Sequence, residues 1–300
     1  MIKDLNLLIK AFIKLLINRY RGIYYRYNKV SLLEKQYKEK CGYPCNLENP
    51  VTLSEKKQWL KLYYHHPDMR TCTDKYLVRA YIASLGLSDI LVPLLGVYNH
   101  FWEIPFEQMP SSFVVKMNHG SNMNYFVKHK SHINRLLVSL IFEIYKRIKF
   151  EYYNVESHYA GIQPKLIVEP FLLNIDRKPL VDYRIICYAG NVEFITPQIY
   201  TENFRNEDSQ YVYFDQEFNR TDMNYHLDQN PDTLIPKHRD RMIEIAKLLS
   251  KPFPSVRVDF YEVNDQLYFS ELTFTANGGY SSMNSREKDV ERGKLLILPK

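Results

Sequence analysis

Residues 256–272 read Val-Arg-Val-Asp-Phe-Tyr-Glu-Val-Asn-Asp-Gln-Leu-Tyr-Phe-Ser-Glu-Leu. The two ends, Val256–Tyr261 and Gln266–Leu272, are rich in β-branched and aromatic residues and predict strands. Asn264-Asp265 between them predicts a short turn. An antiparallel hairpin then brings Asp259 and Glu271 near one another across the ladder. Buried like charges are costly unless something neutralises them. A hard divalent cation with oxygen ligands does this, and Mg²⁺ commonly bridges carboxylates to nucleotide phosphates. The alternative reading is two ordinary acids, one of them paired with Arg257.

Outward from this hairpin the chain alternates strands and helices. Leu166–Glu169, Tyr183–Tyr188 and Val192–Pro197 predict strands, with a hairpin signal at Gly190-Asn191. His238–Ser250 predicts a helix between strands. Further upstream, Phe113–Met117 predicts a strand, followed directly by the polar glycine loop Asn118-His119-Gly120-Ser121-Asn122. Ile133–Phe150 has helical spacing with a basic end. Ser54 is the expected N-cap of a helix running through Trp59 and Leu62. Thr73 or Asp74 is the expected cap of a second helix, Lys75–Leu85, which Gly86 ends. Mixed elements with hairpins argue for an α+β fold rather than a doubly wound sheet.

Lys116 ends its strand just before the glycine loop, where a lysine reaches phosphate and loop N–H groups cradle it. Lys75, in the first turn of its expected helix, sits where the helix dipole favours an anion. It is a second phosphate contact or simply a solvated lysine. No P-loop, dinucleotide-binding, zincin or hydrolase-elbow motif occurs.

The 300 residues suffice for one large domain or two small ones, and 45% hydrophobic with 25% charged residues is a globular composition. Cys41 and Cys45 lack a second matching pair, so free thiols in a reducing cytosol fit better than zinc. His65-His66 beside Pro67 reads as a surface turn. The net charge is +6. Within residues 1–30, Lys3, Lys10, Lys14, Arg19, Arg21, Arg26 and Lys29 stand against Asp4 alone, which already accounts for all of it. The remaining body is neutral and advertises no basic face, so nucleic acid is not an expected partner.

Ile2, Leu5, Ile9, Phe12, Ile13, Leu16 and Ile17 form the stripe of an amphipathic helix. Lys10 and Lys14 make the segment too charged to span a bilayer, and no signal-peptide cleavage site follows. The helix either packs on the domain or another subunit, or lies in an anionic membrane interface through residues 1–28. The basic, tyrosine-rich continuation to Lys29 favours the second.

Taken in order, several segments resemble the TupA-like ATP-grasp proteins of bacterial cell-surface polysaccharide gene clusters. They are Leu53-Ser54-Glu55-Lys56-Lys57-Gln58-Trp59-Leu60-Lys61, Asp74-Lys75-Tyr76-Leu77-Val78-Arg79, and Phe113 to Ser121. Ile167-Val168-Glu169-Pro170-Phe171, Asp182-Tyr183-Arg184, Arg257 to Tyr261 and Glu271-Leu272-Thr273-Phe274-Thr275 complete the set. The resemblance spans roughly residues 46–298. It implies an ATP-grasp fold, with two α+β subdomains gripping ATP behind a helical N-terminal extension. The implied divisions are a basic helix at 1–30, a helical region at 31–110, a lid subdomain at 111–166 and a metal-bearing C-terminal subdomain at 167–300.

The resemblance also implies roles. Lys75 and Lys116 hold the ATP phosphates, and Gly120, Ser121 and Asn122 form a mobile loop closing over them. Val168 to Phe171 meets adenine through backbone groups, with Glu169 near its amino group, and Asp182 meets the ribose. Arg184 stabilises the transferred phosphoryl group; Arg184 and Lys116 are thus the catalytic candidates. Asp259, Glu271 and Thr273 bind Mg²⁺. Thr273 stands where many relatives carry asparagine, and Asn277 is an alternative donor. The implied reaction is a carboxylate–amine ligation: ATP makes an acylphosphate and an amine displaces phosphate. By analogy the acceptor is a uronic-acid carboxylate or an amino acid of a capsule, O-antigen or teichuronic polymer, a saccharide acceptor carried on a lipid among them. His119 and the Arg205–Arg220 region are candidates for lining its site. The expected location is the cytoplasm, peripheral on the inner face of the membrane. Open alternatives are a phosphotransferase or glycosyltransferase-like step, or a non-catalytic membrane-associated assembly factor.

Overall fold

The computed structural model describes residues 2–175, 180–200, 212–221, 234–280 and 285–299. In chain order its helices are α1 (Ile2–Cys41), α2 (Leu53–Tyr63), α3 (Met69–Thr73), α4 (Val78–Ser84), α5 (Arg135–Tyr145), α6 (Glu151–Asn154), α7 (Arg239–Ser250) and α8 (Arg286–Gly293). Its strands are β1 (Gly96–Tyr98), β2 (Phe113–Met117), β3 (Asn124–Val127), β4 (Leu166–Pro170), β5 (Leu180–Tyr188), β6 (Asn191–Tyr200), β7 (Val256–Val263) and β8 (Gln266–Thr273). They form two four-stranded antiparallel sheets, β1-β4-β2-β3 and β6-β5-β7-β8. The α+β expectation holds. The chain divides into two compact units, Met1–Pro50 with Gln58–Gly86 and Val92–Phe171, and Val51–Lys57 with Leu87–Leu91 and Leu172–Lys300.

In the first unit one face of the β1-β4-β2-β3 sheet is apolar. Phe113, Val115, Met117, Leu166 and Val168 pack there with Val138, Ile141 and Phe142 of α5 and with Ala11 and Leu15 of α1. The strand period of two sends Val114, Lys116, Ile167 and Glu169 to the other face. Helix α1 is broken at Asn28, which is extended (φ −157°, ψ 92°). Its side chain accepts from Ser31 N–H at 3.0 Å and so caps the second segment.

In the second unit the sheet is built on two tight hairpins. Ala189 and Gly190 (φ 48° and 86°) join β5 to β6, and Asn264 and Asp265 (φ 51° and 61°) join β7 to β8. Positive φ at both central residues matches the twist of the flanking strands. Val258, Phe260, Ile185 and Leu272 are buried on one face of this sheet, and α7 contributes Met242, Ile245, Ala246 and Leu249 to the buried interior.

Three local expectations are corrected. Thr52, not Ser54, caps α2: Thr52 Oγ1 accepts from Glu55 N–H and Glu55 Oε2 accepts from Thr52 N–H, each at 3.0 Å. This reciprocal pair satisfies two otherwise orphaned donors. Ser54 instead donates its backbone N–H to Asp289 Oδ1 (3.2 Å). The Lys75 helix begins only at Val78; residues 75–77 form a turn whose Tyr76 and Leu77 N–H groups donate to Asp74 Oδ1. Ile133–Phe150 is helical only from Arg135 to Tyr145, where Asn134 Oδ1 accepts from Leu137 N–H.

Candidate active site

In the second unit the two hairpins lay a polar row across the sheet. Arg184 is the register partner of Asp259, and Asp259 is the partner of Glu271. Direct partners in an antiparallel sheet share a face, and so do residues two apart on a strand. Asp182, Arg184, Arg257, Asp259, Glu271 and Thr273 therefore all stand on one face. A register shift after Asp259 pairs Phe260 with Phe269 rather than with Ser270. Without this bulge Phe269 would share Glu271's face; with it, Phe269 is buried against Phe260 while Glu271 turns to the polar side.

Arg257 is the hub of this face. Its Nε donates to Asp259 Oδ1 (2.7 Å) and its Nη2 to Asp259 Oδ2 (2.5 Å), Glu271 Oε1 (3.3 Å) and Thr273 Oγ1 (3.3 Å). Thr273 Oγ1 donates to Glu271 Oε1 at 2.8 Å. Alongside, Arg184 Nε donates to Asp182 Oδ2 (3.0 Å) and Nη1 to Gln198 Oε1 (3.3 Å). Asp259 is 1% exposed, and burial pushes its carboxyl up to about 7 against the opposing pull of Arg257. Burial raises Asp182 as well, with Arg184 opposing. Burial alone would lower Arg257, but Asp259 beside it carries its guanidinium above the usual value.

The residues present fit a magnesium ion. Among the described residues no group of three or more His, Cys, Asp or Glu gathers as a ligand set. Mg²⁺ does not need one, since it is usually held by one or two carboxylates with phosphate oxygens completing the shell. Asp259, Glu271 and Thr273 offer oxygen atoms only, and all three already converge on one positive charge, the Arg257 guanidinium. These are the donor atoms a hard cation takes, and Arg257 supplies the positive charge beside them. Asn277 lies in the following turn with φ 54°.

In the first unit Lys116 and Glu169 meet on the sheet face opposite the core, Nζ to Oε2 at 2.6 Å. Arg79 Nη1 lies 3.7 Å from Glu169 Oε1. The carboxylate expected near adenine is here held by two cations. Val168 is fully buried and its carbonyl accepts from Leu95 N–H (2.8 Å). Phe171 follows the end of β4, its ring against Phe126.

The glycine loop is pinned from several sides. Buried Asn118 donates through Nδ2 to Asp74 Oδ2 (2.8 Å) and Gln163 O (3.0 Å), and its Oδ1 accepts from Lys165 N–H (2.7 Å). Lys75 uses both ends: its N–H donates to Asn118 O and its Nζ to Gly120 O, each at 3.1 Å. Lys14 of α1 donates to Ser121 O at 3.3 Å. Gly120 has no room for a side chain, because an added Cβ would lie 2.2 Å from Met123 Cε and 2.7 Å from Phe150 Cδ2. Asn122 takes the left-handed φ of 55°. His119 is 4% exposed, and burial pushes its imidazole down to about 4.

The structure thus brings together Asp182, Arg184, Asp259, Glu271 and Thr273 in one unit, and Lys75, Lys116, Glu169 and the glycine loop in the other. Sequence reasoning gave Arg257 only as the partner of an ordinary acid and missed Arg79 and Gln198. The signal for Arg257 was its period-two relation to Asp259. Of the Arg205–Arg220 region, residues 205–211 lie outside the described residues; Phe214 forms single bridges to Ile195 and Arg220. The motif residues Glu55 and Lys56 are structural: Lys56 Nζ binds the carbonyls of Gly293 (2.6 Å) and Leu296 (2.8 Å) at the end of α8.

A family model described as TupA-like ATPgrasp matches residues 55–297. No curated protein matches the chain. Among solved structures, D-alanine–D-alanine ligase from Helicobacter pylori is 15% identical, with 82% of this chain and 69% of that chain covered and a TM-score of 0.47. The same ligase from Bacillus anthracis is 15% identical, with 68% and 56% covered and a TM-score of 0.36. The ATP-grasp ligase PsnB, solved with its minimal precursor, Mg and ADP, is 12% identical, with 81% and 65% covered and a TM-score of 0.42. The chain spans less than two thirds of the last two.

Proposed function

The chain belongs to the TupA-like ATP-grasp family, and from that premise we propose that it is a Mg²⁺- and ATP-dependent ligase joining a carboxylate to an amine through an acylphosphate. The observation that carries the reading is the polar face of the second sheet: two arginines and three oxygen donors on one surface, around one carboxylate that is 1% exposed.

Roles follow from charge and placement. Arg184 and Arg257 present guanidinium groups where negative charge spreads over a transferred phosphoryl group, and fixed positive charge there is worth most when water is excluded. Asp259, Glu271 and Thr273 hold Mg²⁺, which when bound neutralises phosphate charge. Asp182 keeps Arg184 aimed and is assigned to a ribose hydroxyl. In the first unit Lys75, Lys116 and the Gly120-Ser121-Asn122 loop are assigned to phosphate, and the end of β4 from Glu169 to Phe171 to adenine. No residue need form a covalent bond with substrate, because positioning and charge neutralisation carry this chemistry.

The acceptor we propose is a saccharide or uronic-acid carboxylate of a cell-surface polymer, met in lipid-linked form at the inner face of the membrane, with α1 holding the enzyme there. Its support is the family and the character of α1. Calorimetric titration of Mg-ATP tests the nucleotide site: wild type binds only with Mg²⁺, and Asp259→Asn and Glu271→Gln each weaken binding at least about tenfold, the loss of one charge-assisted contact. An ADP-release screen of uronic acids with amine donors tests the reaction. Product without an amide bond would overturn the ligase assignment.

A further inference from the structure

Helix α1 is built the wrong way round for a helix whose only task is to pack on its own domain. Such a helix turns its large apolar residues inward. Here the buried positions of the first segment are Asp4, Ala11, Leu15, Asn18 and Gly22, with Leu7 and Leu8 partly buried against the same core. At 3.6 residues per turn these fall on one side. Small size is required there: a Cβ on Gly22 would lie 2.6 Å from the Tyr152 ring. Asn18 is locked to the body by Lys149, donating to its carbonyl at 2.7 Å and accepting from its N–H at 2.9 Å.

The opposite side carries the apolar stripe. Ile2, Leu5, Ile9, Phe12, Leu16 and Tyr20 are 48% to 76% exposed, and the row continues through Ile23 and Tyr27. Contiguous exposed apolar surface of this kind marks a place where something else binds. The charges say what. Exposed Lys3 and Lys10 border the row on one side, and exposed Arg19 and Arg26 on the other, with Arg26 also over the Tyr152 ring at 5.9 Å. The only acid before Glu34 is Asp4, and it is turned inward, accepting from Tyr125 Oη at 2.7 Å. Among the described residues no helix is long and apolar enough to cross a membrane.

We propose that the outer face of α1, from Ile2 to Tyr27, lies flat in the interface of an anionic phospholipid bilayer, its apolar row among the acyl chains and its two basic borders against the headgroups. This rests on the membrane placement proposed above and assigns it a surface. Long basic side chains beside an apolar row reach headgroup level with their stems still in the apolar layer. A second copy of the chain is the poorer occupant, because both borders of the row carry the same sign and pairing two such faces sets cation against cation.

Removing residues 1–28 is not the test, since it takes Ala11 and Leu15 out of the core. The test is co-sedimentation of the full chain with vesicles of equal parts phosphatidylglycerol and phosphatidylcholine, and with phosphatidylcholine alone. Wild type binds the anionic vesicles, and salt weakens it. Ile9→Ser/Phe12→Ser/Leu16→Ser loses about tenfold or more through lost apolar burial. Lys3→Gln/Lys10→Gln/Arg19→Gln loses roughly fivefold per charge. Both variants keep the wild-type melting temperature, because the altered side chains face away from the body. Absence of wild-type binding to anionic vesicles overturns the proposal. Equal binding by the apolar variant does so too, as does a wild-type dimer that the apolar variant dissociates. Mg-ATP titration of the same samples keeps the ligase reading separate: vesicle binding without nucleotide binding sinks that reading and leaves this one standing.

Discussion

Arg257 and Asp259 stand two residues apart on β7 and meet through both ends of the guanidinium, Nε to Oδ1 at 2.7 Å and Nη2 to Oδ2 at 2.5 Å. Asp259 has almost no contact with water, so Arg257 supplies the charge that keeps this carboxylate tolerable in the fold. The same guanidinium reaches Glu271 and Thr273, which makes it both a structural counter-ion and a group poised over the proposed metal ligands.

Arg257→Met is expected to destabilise the protein by about 3 kcal/mol, because it strands a buried carboxylate. Adding Asp259→Asn to that variant is expected to restore much of the loss, because the stranded charge is then gone. Urea denaturation of the two single variants and the double variant checks this. Strictly additive costs would show that the pair is not coupled.

Gly120→Ala should damage the loop without any change of charge. The added methyl meets Met123 and Phe150 at distances no real Cβ adopts, so the Met123 side chain, the Phe150 ring or the loop must give way, at a cost of about 1–3 kcal/mol. Mg-ATP affinity should fall in parallel. Unchanged affinity in Gly120→Ala would remove the loop from the nucleotide site.

Acid should weaken the first unit. His119 is held near 4 and His158 near 3, both lowered first by burial. An unfolded histidine takes up its proton below about 6.5. The folded state therefore binds fewer protons in the window from about 6.5 down to 4, and stability falls as pH falls through it. At pH 5 the cost relative to pH 7 is about 2 kcal/mol for His119. Asp259 works in the opposite sense in the second unit, since its raised carboxyl loses its stabilising contribution as pH rises towards 7. Urea denaturation at pH 7 and pH 5, comparing wild type with His119→Leu, isolates the histidine. An equal pH effect in both chains would refute it.

Asn18→Ala should cost about 1–3 kcal/mol, because the backbone N–H and carbonyl of Lys149 lose their partner in a part-buried place. Ile13→Ala, on the outer side of the same helix, should change stability by less than about 0.5 kcal/mol. Thermal melting of the two variants checks which side of α1 holds the domain together. A larger loss for Ile13→Ala would reverse the orientation given above.

Much of the fold was legible because strand and helix periods are local. The β7–β8 hairpin, the Gly190 hairpin, α7 and the Phe113–Met117 strand followed from spacing and turn chemistry alone. Helix starts were less legible. Thr52 and Ser54 are both good caps by type, and only the reciprocal bond with Glu55 selects Thr52. Asp74 likewise caps a turn, and the helix begins beyond it at Val78 without a side-chain cap. In α1 the apolar stripe was plain, but its direction was not, because periodicity places residues on a common face without saying which face meets the body.

By itself the sequence determined most of the elements, the hairpin that brings Asp259 and Glu271 near one another, the basic balance of the first 30 residues and the ordered motifs of the TupA-like ATP-grasp family. These are properties of local spacing and residue type. Only the tertiary structure decided what meets what. It gave Glu169 to Lys116 and Arg79, set Arg257 over the predicted metal ligands, used a bulge to part Phe269 from Glu271, and turned the apolar side of α1 outward. Each of these depends on contacts between residues distant in sequence, or on one extra residue in a ladder. Long-range packing and register fix such choices, and no local period encodes them.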